Sequence, residues 1–168
     1  MISKNTLLDK LKKLNIRYQL IEHEAFFTVE DSIEKRSLIR GAHTKNLFLK
    51  NKKKQFFLIS CLENRQINLK ELSKKLNIGN ISFANEKQLN EYLGLKPGSV
   101  SPFGILNDNK NKVQFYLDYN ITSFDMVSFH PLINTSTITL KVKDLINFLI
   151  YYNKKVNIFC FDTYSIIE

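Results

Sequence analysis

One loop gathers most of the residues that control backbone conformation. The segment "GLKPGSVSPFG", Gly94 to Gly104, holds three of the chain's five glycines and two of its three prolines. Gly98 can adopt backbone angles closed to other residues, and Pro102 is expected to fix the exit into a following strand. A rigid loop of this kind can present successive N–H groups to an anion or an oxyanion. A tight helix-to-strand connection without a ligand is the alternative.

The loop serines and a distant histidine offer a second kind of chemistry. Ser99 and Ser101 could act as nucleophiles with His130 as their base, although the segment does not follow the GxSxG pattern of hydrolase nucleophiles. His130 precedes the one proline outside the loop, which holds its backbone extended. A histidine there can bind a ligand, transfer a proton or satisfy a buried carbonyl. Asn134 and Thr137 follow in a predicted polar turn.

A third feature is "GAHTKNLFLK", where Lys45 and Asn46 stand at the start of an apolar strand. Lys45 could hold a phosphate or a carbonyl oxygen, and Asn46 could orient a small polar group. A plain surface lysine is the alternative. His23 and His43 do not form metal-ligand spacing with His130, so we predict no metal site and no cofactor.

Apolar periodicity predicts the elements that must position these residues. Helices are expected at 5–16 (after an Asn5/Thr6 cap), in "TVEDSIEKRSL", and at 68–79, 85–94 and 142–153. Strands are expected at 17–23, 45–51, 55–62, 104–107, 112–118, 126–131, 136–142 and 156–161, with 45–51 and 55–62 forming a hairpin with a basic tip. This irregular alternation predicts an α+β fold, a mixed, largely antiparallel β-sheet with helices packed outside. At 168 residues we expect a single domain spanning 1–168.

The charge composition indicates which class of partner the protein binds. The net charge is +9, and lysine supplies 21 of the 25 basic residues. This favours a polyanion such as nucleic acid, held through its phosphates, although coding bias and solvated lysines are an alternative. No apolar run approaches the roughly 18 residues that cross a membrane, and no signal-peptide core is present. We therefore expect a cytoplasmic protein without membrane contact, in which Cys61 and Cys160 are buried and unpaired.

Taken together, these segments resemble one protein family from about Leu20 to Asn153. The chain is similar to the stand-alone bacterial prolyl-tRNA editing proteins, the YbaK-like aminoacyl-tRNA deacylases, which are related to the editing insertion of bacterial prolyl-tRNA synthetase. The most specific parts are the Lys-Asn-Leu-Phe-Leu strand, the Gly98–Pro102 loop, and His130 before proline with Asn134 and Thr137 downstream.

The resemblance implies hydrolysis of a wrong amino acid from the acceptor end of tRNA(Pro). Alanine is the expected amino acid, and a cysteine-specific deacylase or a catalytically silent tRNA-binding module are the alternatives. Prolyl-tRNA synthetase is a further candidate partner, and monomer and homodimer both stay open. A small pocket would admit alanine and exclude proline by size.

The resemblance also implies roles for individual residues. The Gly98–Pro102 backbone would place a water molecule and hold the oxyanion, and Lys45 would hold the terminal adenosine or its phosphate. No general base is assigned. The catalytic set is Lys45, Gly98, Ser99, Pro102 and His130; the substrate-binding set is Asn46, Thr28, Val100, Ser101, Asn134 and Thr137; the RNA-binding set is Lys50, Lys52, Lys53 and Lys54.

Overall fold

The part of the chain described by the structure, a computed structural model, comprises residues 1–25 and 40–167. Within it the strands are β1 (Tyr18–Glu22), β2 (Thr44–Asn51), β3 (Phe56–Leu62), β4 (Ile81–Phe83), β5 (Val113–Asp118), β6 (Met126–Phe129), β7 (Ser136–Lys141), β8 (Val156–Cys160) and β9 (Ser165–Ile167). The α-helices are α1 (Lys4–Lys13), α2 (Leu69–Lys75), α3 (Glu86–Leu93) and α4 (Val142–Tyr151), and 3-10 helices cover Pro102–Asn107 and Tyr119–Ser123.

The strands form two sheets. The larger has the order β4-β2-β3-β5-β8-β9, and the smaller has the order β1-β7-β6. Among the described strands, the β3–β5 and β5–β8 pairs are parallel, and the other neighbouring pairs run antiparallel. The predicted α+β class with a mixed, largely antiparallel sheet is therefore confirmed, and the division into two sheets is an addition to it.

The two sheets meet where the chain enters β2. The Ala42 N–H donates to the Met126 carbonyl at 2.8 Å, and the Ser128 N–H donates to the Ala42 carbonyl at 3.1 Å. The Thr44 hydroxyl then donates to the Ser128 carbonyl at 2.9 Å. These bonds set the start of β2, which carries Lys45 and Asn46, beside β6, which leads into His130.

The core has two parts, one on each face of the larger sheet. On β3, Phe56 and Leu58 belong to the first cluster, and Phe57 and Ile59 belong to the second. This alternation follows from the two-residue period of a strand. The first cluster also contains residues of α1, α3 and α4, whereas the second packs under Leu72 of α2.

Most predicted elements are present, with corrections at their ends. Helix α1 is capped by Ser3, whose hydroxyl accepts from the Thr6 N–H at 3.2 Å, and not by Asn5 or Thr6. Helix α3 ends at Gly94 as predicted, whereas α2 ends at Lys75, before Gly79. Strands β4 and β9 were not predicted, and the predicted helix in "TVEDSIEKRSL" lies outside the described residues.

The prediction of a strand over "GILN" was wrong, because this segment is part of the 3-10 helix Pro102–Asn107. Pro102 stands in its first turn, where the fixed φ of proline suits a helix start. The Ser101 hydroxyl caps it by accepting from the Phe103 N–H at 3.4 Å. These signals outweigh the apolar character of the segment, and Pro102 leads into a helix and not into a strand.

Two global expectations concern membranes and thiols. In the described part of the chain, no helix has the length and apolar character needed to cross a membrane. Cys61 and Cys160 are both buried and unpaired, as predicted.

Candidate active site

The Gly/Pro loop is built around a tight turn over Lys96–Ser99. The Ser99 N–H donates to the Lys96 carbonyl at 3.1 Å and closes the turn. Pro97 occupies its second position, and Gly98 occupies its third with a φ of +84°. Proline followed by a residue of positive φ is the signature of a type II turn. Gly98 is therefore required by the backbone conformation.

Both loop serines are engaged within the loop itself. The Ser99 hydroxyl donates to the Lys96 carbonyl at 2.8 Å and accepts from the Lys96 N–H at 3.3 Å. The Ser101 hydroxyl serves as the cap described above, and both side chains are buried. Among the described residues neither hydroxyl contacts a histidine, so the geometry favours a supporting role for both. The predicted catalytic role of Ser99 stays a prediction.

Several backbone N–H groups of the loop take no part in these hydrogen bonds. The N–H groups of Gly98, Val100 and Ser101 make no hydrogen bond to the described residues. Gly98 is exposed, and a Cβ at that position would lie 3.6 Å from Asn134 Nδ2. The loop therefore faces the turn after His130 across a gap that a side chain at position 98 would partly fill.

The turn that carries Asn134 begins at His130, whose ring centroid lies 6.1 Å from that of His23. His130 Nδ1 is 2.9 Å from the Ser136 carbonyl, and His23 Nδ1 is 2.8 Å from the Glu24 carbonyl. A carbonyl oxygen only accepts, so each Nδ1 carries its hydrogen. In the neutral rings Nε2 is then the acceptor, and His23 Nε2 accepts from the Thr137 hydroxyl at 2.9 Å.

His23 was not predicted as a site residue. It is 114 residues from Thr137 in sequence, and it reaches the site because β1 pairs with β7, where Ile21 lies opposite Thr137. The His23 N–H extends that pairing by donating to the Thr135 carbonyl at 2.9 Å. A pairing over this distance leaves no local signal, so only the sheet register could have identified His23.

Asn46 and Lys45 project to opposite sides of β2. Asn46 Oδ1 accepts from the Ser60 hydroxyl at 2.5 Å, on the face of the first core cluster. Lys45 lies opposite Cys61, on the face of the second cluster, and its ammonium donates to the Arg65 carbonyl. The structure thus brings Asn134 close to Gly98, and His23 close to both Thr137 and His130, while the Lys45 ammonium binds the Arg65 carbonyl.

An ion-pair network fixes the carbonyl that Lys45 binds. Arg65 Nε donates to Asp118 Oδ2 at 2.6 Å, and Arg65 Nη1 donates to Asp162 Oδ1 at 3.0 Å. Asp118 is fully buried and also accepts from the Leu62 N–H at 3.3 Å. Hydrogen bonding from Arg65 holds the pKa of Asp162 below its usual value. Beside this network, burial raises the pKa of the Cys61 thiol to about 12, against the lowering effect of Lys45.

The predicted RNA-binding lysines stand at the other end of β2. Lys50, Lys52 and Lys54 line a surface groove of about 430 Å³, and Lys53 is exposed at the hairpin tip between them. Thr28, the remaining predicted site residue, lies outside the described residues. Among residues 1–25 and 40–167, no three His, Cys, Asp or Glu side chains are grouped as metal ligands would be.

Comparison with known proteins adds independent evidence. The sequence pattern of a family described as "Aminoacyl-tRNA editing domain" matches residues 23–148. The prolyl-tRNA editing protein ProX of Acetoanaerobium sticklandii is 38% identical over 147 residues, covering 86% of this chain and 89% of the relative. The prolyl-tRNA synthetase associated domain-containing protein 1 of Xenopus laevis is 40% identical over 148 residues, covering 85% of this chain and 88% of the relative.

Solved structures share the fold. A crystal structure of a candidate trans-editing enzyme for prolyl tRNA synthetase superposes with a TM-score of 0.69, covering 93% of this chain and 96% of that chain. Its sequence identity is 17%, so this likeness concerns the fold alone.

Proposed function

The chain belongs to the aminoacyl-tRNA editing domain family, and on that premise we propose that it removes alanine from mischarged tRNA(Pro). Prolyl-tRNA editing as the function and aminoacyl-tRNA deacylation as the activity are supported by the family match and by the relative named as a prolyl-tRNA editing protein. The preference for alanine is the finer part of the proposal. A cysteine-specific deacylase is the alternative within the family.

The observation that carries the chemistry is the Gly98 turn. An aminoacyl ester is already activated, so its hydrolysis requires a placed water molecule and an oxyanion partner more than a strong nucleophile. The N–H groups of Gly98, which is exposed, and Val100, which is half-buried, supply candidate donors on a loop that its own hydroxyls hold rigid. Water attacks the ester carbonyl, the oxyanion forms beside these amides, and its collapse releases the amino acid and the ribose hydroxyl.

Polar side chains around the gap support the substrate in this proposal. Asn134 faces Gly98 and can bond the amino group or the ribose of the substrate. His130, held through its Nδ1, presents an imidazole of defined orientation. His23 orders the Thr137 hydroxyl in the same way. No side chain is assigned as the general base, and a ribose hydroxyl of the substrate can share the proton transfer.

Lys45 is proposed to hold the terminal adenosine or its phosphate. An ammonium group has three donors, of which the Arg65 carbonyl takes one. The Arg65–Asp118 pair fixes that carbonyl, so Lys45 is anchored at one side while its charge remains available to an anion. Asn46, on the other face of β2, would orient the substrate.

Selectivity in this proposal comes from size. A small pocket that accepts alanine excludes proline reliably, because an enclosed site rejects a larger group more strongly than a smaller one. Action on charged tRNA would place the protein in the cytoplasm, with prolyl-tRNA synthetase as a candidate partner.

Deacylation of Ala-tRNA(Pro), Cys-tRNA(Pro) and Pro-tRNA(Pro), by wild type and by Lys45→Ala, tests the proposal. We expect rapid release of alanine only, and a loss of about a hundredfold or more in the variant. Release of cysteine in place of alanine would retain the chemistry and overturn the size argument. Binding of tRNA with no ester cleaved would identify a silent binding module. Labelling of Ser99 by a serine-directed covalent inhibitor would favour a serine hydrolase.

A further inference from the structure

Three neighbouring surface grooves form one continuous basic surface. The first, between the β2–β3 hairpin and β4, is lined by Lys50, Lys52 and Lys54 and ends at Asn80. The second begins at Asn80 and reaches α2, and the third continues along that helix. We call the six lysines that line these grooves the lysine track: Lys50, Lys52, Lys54, Lys70, Lys74 and Lys75. Glu71 is the one acidic residue among the lining residues.

A buried asparagine fixes the two halves of the lysine track to each other. Asn51 is 6% exposed. Its Nδ2 donates to the Ile78 carbonyl at 2.7 Å and to Gln55 Oε1 at 2.6 Å, and its Oδ1 accepts from the Gln55 N–H at 3.0 Å. Ile78 follows α2, and Gln55 follows the hairpin tip. The backbones that carry the lysines of both elements are therefore fixed to each other before any partner binds, so the two halves need not be ordered relative to each other on binding.

The lysine track is separate from the candidate active site. Asn46 lies near the start of β2 and Asn51 at its end. At about 3.3 Å per residue, the two ends are roughly 17 Å apart along the strand. A ligand that occupies both the active site and the lysine track must therefore be much longer than a single nucleotide.

We propose that the lysine track binds the phosphate backbone of duplex RNA, the acceptor stem of the tRNA whose 3′ end enters the active site. This inference rests on the proposed function. The lining residues include no arginine and no aromatic side chain. Lysine acts as a point charge on phosphates, and the deep, narrow major groove of an A-form stem keeps the base edges there out of reach of side chains. The track therefore positions the stem without reading its sequence.

The test compares two triple variants of equal charge. The track variant is Lys70→Gln/Lys74→Gln/Lys75→Gln, and the control variant changes three exposed lysines elsewhere, Lys12→Gln/Lys13→Gln/Lys143→Gln. Binding to an uncharged RNA hairpin is measured by fluorescence anisotropy at several salt concentrations. We expect the track variant to bind about tenfold more weakly or worse, with a salt slope smaller by about two to three. The control variant should stay within about twofold of wild type.

A second readout separates this inference from the proposed function. Both variants are assayed on Ala-tRNA(Pro) and on a short alanylated 3′-terminal oligonucleotide that lacks the stem. The track variant should lose kcat/KM on the tRNA and match wild type on the oligonucleotide. Equal losses in the two triple variants would overturn the lysine track as a specific surface. Weakened hairpin binding by the track variant, with no ester cleaved by wild type, would support the track and overturn the proposed function.

Discussion

At the scale of the residue, Gly98 and Gly79 adopt similar left-handed backbones in different surroundings. Their φ angles are +84° and +71°. A Cβ at Gly79 would meet nothing within 4 Å, whereas one at Gly98 would enter the gap facing Asn134. Alanine at either position pays a backbone penalty of about 1 kcal/mol. This pair of sites therefore separates the cost of backbone strain from an effect on catalysis.

We expect Gly98→Ala and Gly79→Ala to lower the free energy of unfolding by similar amounts. Only Gly98→Ala should lower kcat/KM for deacylation, by about tenfold or more, because the loop amides shift relative to the ester. Urea denaturation and single-turnover deacylation measure the two effects. A Gly98→Ala variant with full activity would show that the turn is not part of the catalytic machinery.

Thr137 and Thr139 provide a second matched pair on β7. The Thr137 hydroxyl donates to His23 Nε2, while Thr139 Oγ1 shares a hydrogen bond of 2.7 Å with the Ser128 hydroxyl. Valine at either position preserves shape and removes one buried hydrogen bond, which costs about 1 kcal/mol of stability.

We expect Thr137→Val to lower kcat for deacylation, because it removes a hydrogen bond that orients the His23 imidazole. Thr139→Val should leave kcat unchanged at a similar loss of stability. Single-turnover deacylation rates, alongside thermal unfolding, distinguish the two variants. If the two variants lost the same amount of activity and of stability, the Thr137–His23 contact would have a structural role only.

At the scale of the element, the sequence predicts helices and hairpins that local patterns determine. It does not predict contacts between residues that are far apart in the chain. Two apolar runs that flank a basic tip predict the β2–β3 hairpin, and Gly94 predicts the end of α3. The apolar run after Pro102 predicts a strand, whereas the proline and the Ser101 cap start a 3-10 helix there. His23 was missed because the β1–β7 pairing spans most of the chain.

The same limit applies to the segment between β3 and α2. No local pattern indicated that Arg65 would pair with Asp118 and Asp162, which lie in or after later strands of the larger sheet. Asp118 is fully buried, whereas the Asp162 side chain is 62% exposed. A buried charge left without its partner is costly, whereas an exposed pair contributes little.

We therefore expect Asp118→Ala to lower the free energy of unfolding by about 3 kcal/mol. Asp162→Ala, its matched control on the same arginine, should change stability little because water already screens that carboxylate. Denaturant titration measures the free energy of unfolding of both variants and shows which of them is less stable. Equal stability of the two variants would mean that the Arg65 network does not hold the β3–α2 segment.

At the scale of the whole molecule, the core extends beyond the segment that defines the family. The family pattern covers residues 23–148, yet Leu7 and Leu11 of α1 are fully buried in the first cluster and Phe159 of β8 is buried in the second. The two clusters lie on opposite faces of β3 and β5, so loss of either removes the support of the same strands. We therefore propose that residues 1–25 and 40–167 form a single cooperative unit.

We expect unfolding in one transition, with far-UV circular dichroism and tyrosine fluorescence giving the same midpoint. Leu11→Ala, in the first cluster, and Leu72→Ala, in the second, should each lower the free energy of unfolding by about 3 kcal/mol. Because the clusters share the larger sheet, each variant should move both signals together. If Leu11→Ala instead produced an early transition in one signal while the other kept its wild-type midpoint, α1 and the smaller sheet would unfold separately. The chain would then contain two cooperative units, and β1, which brings His23 to the candidate active site, would belong to the weaker one.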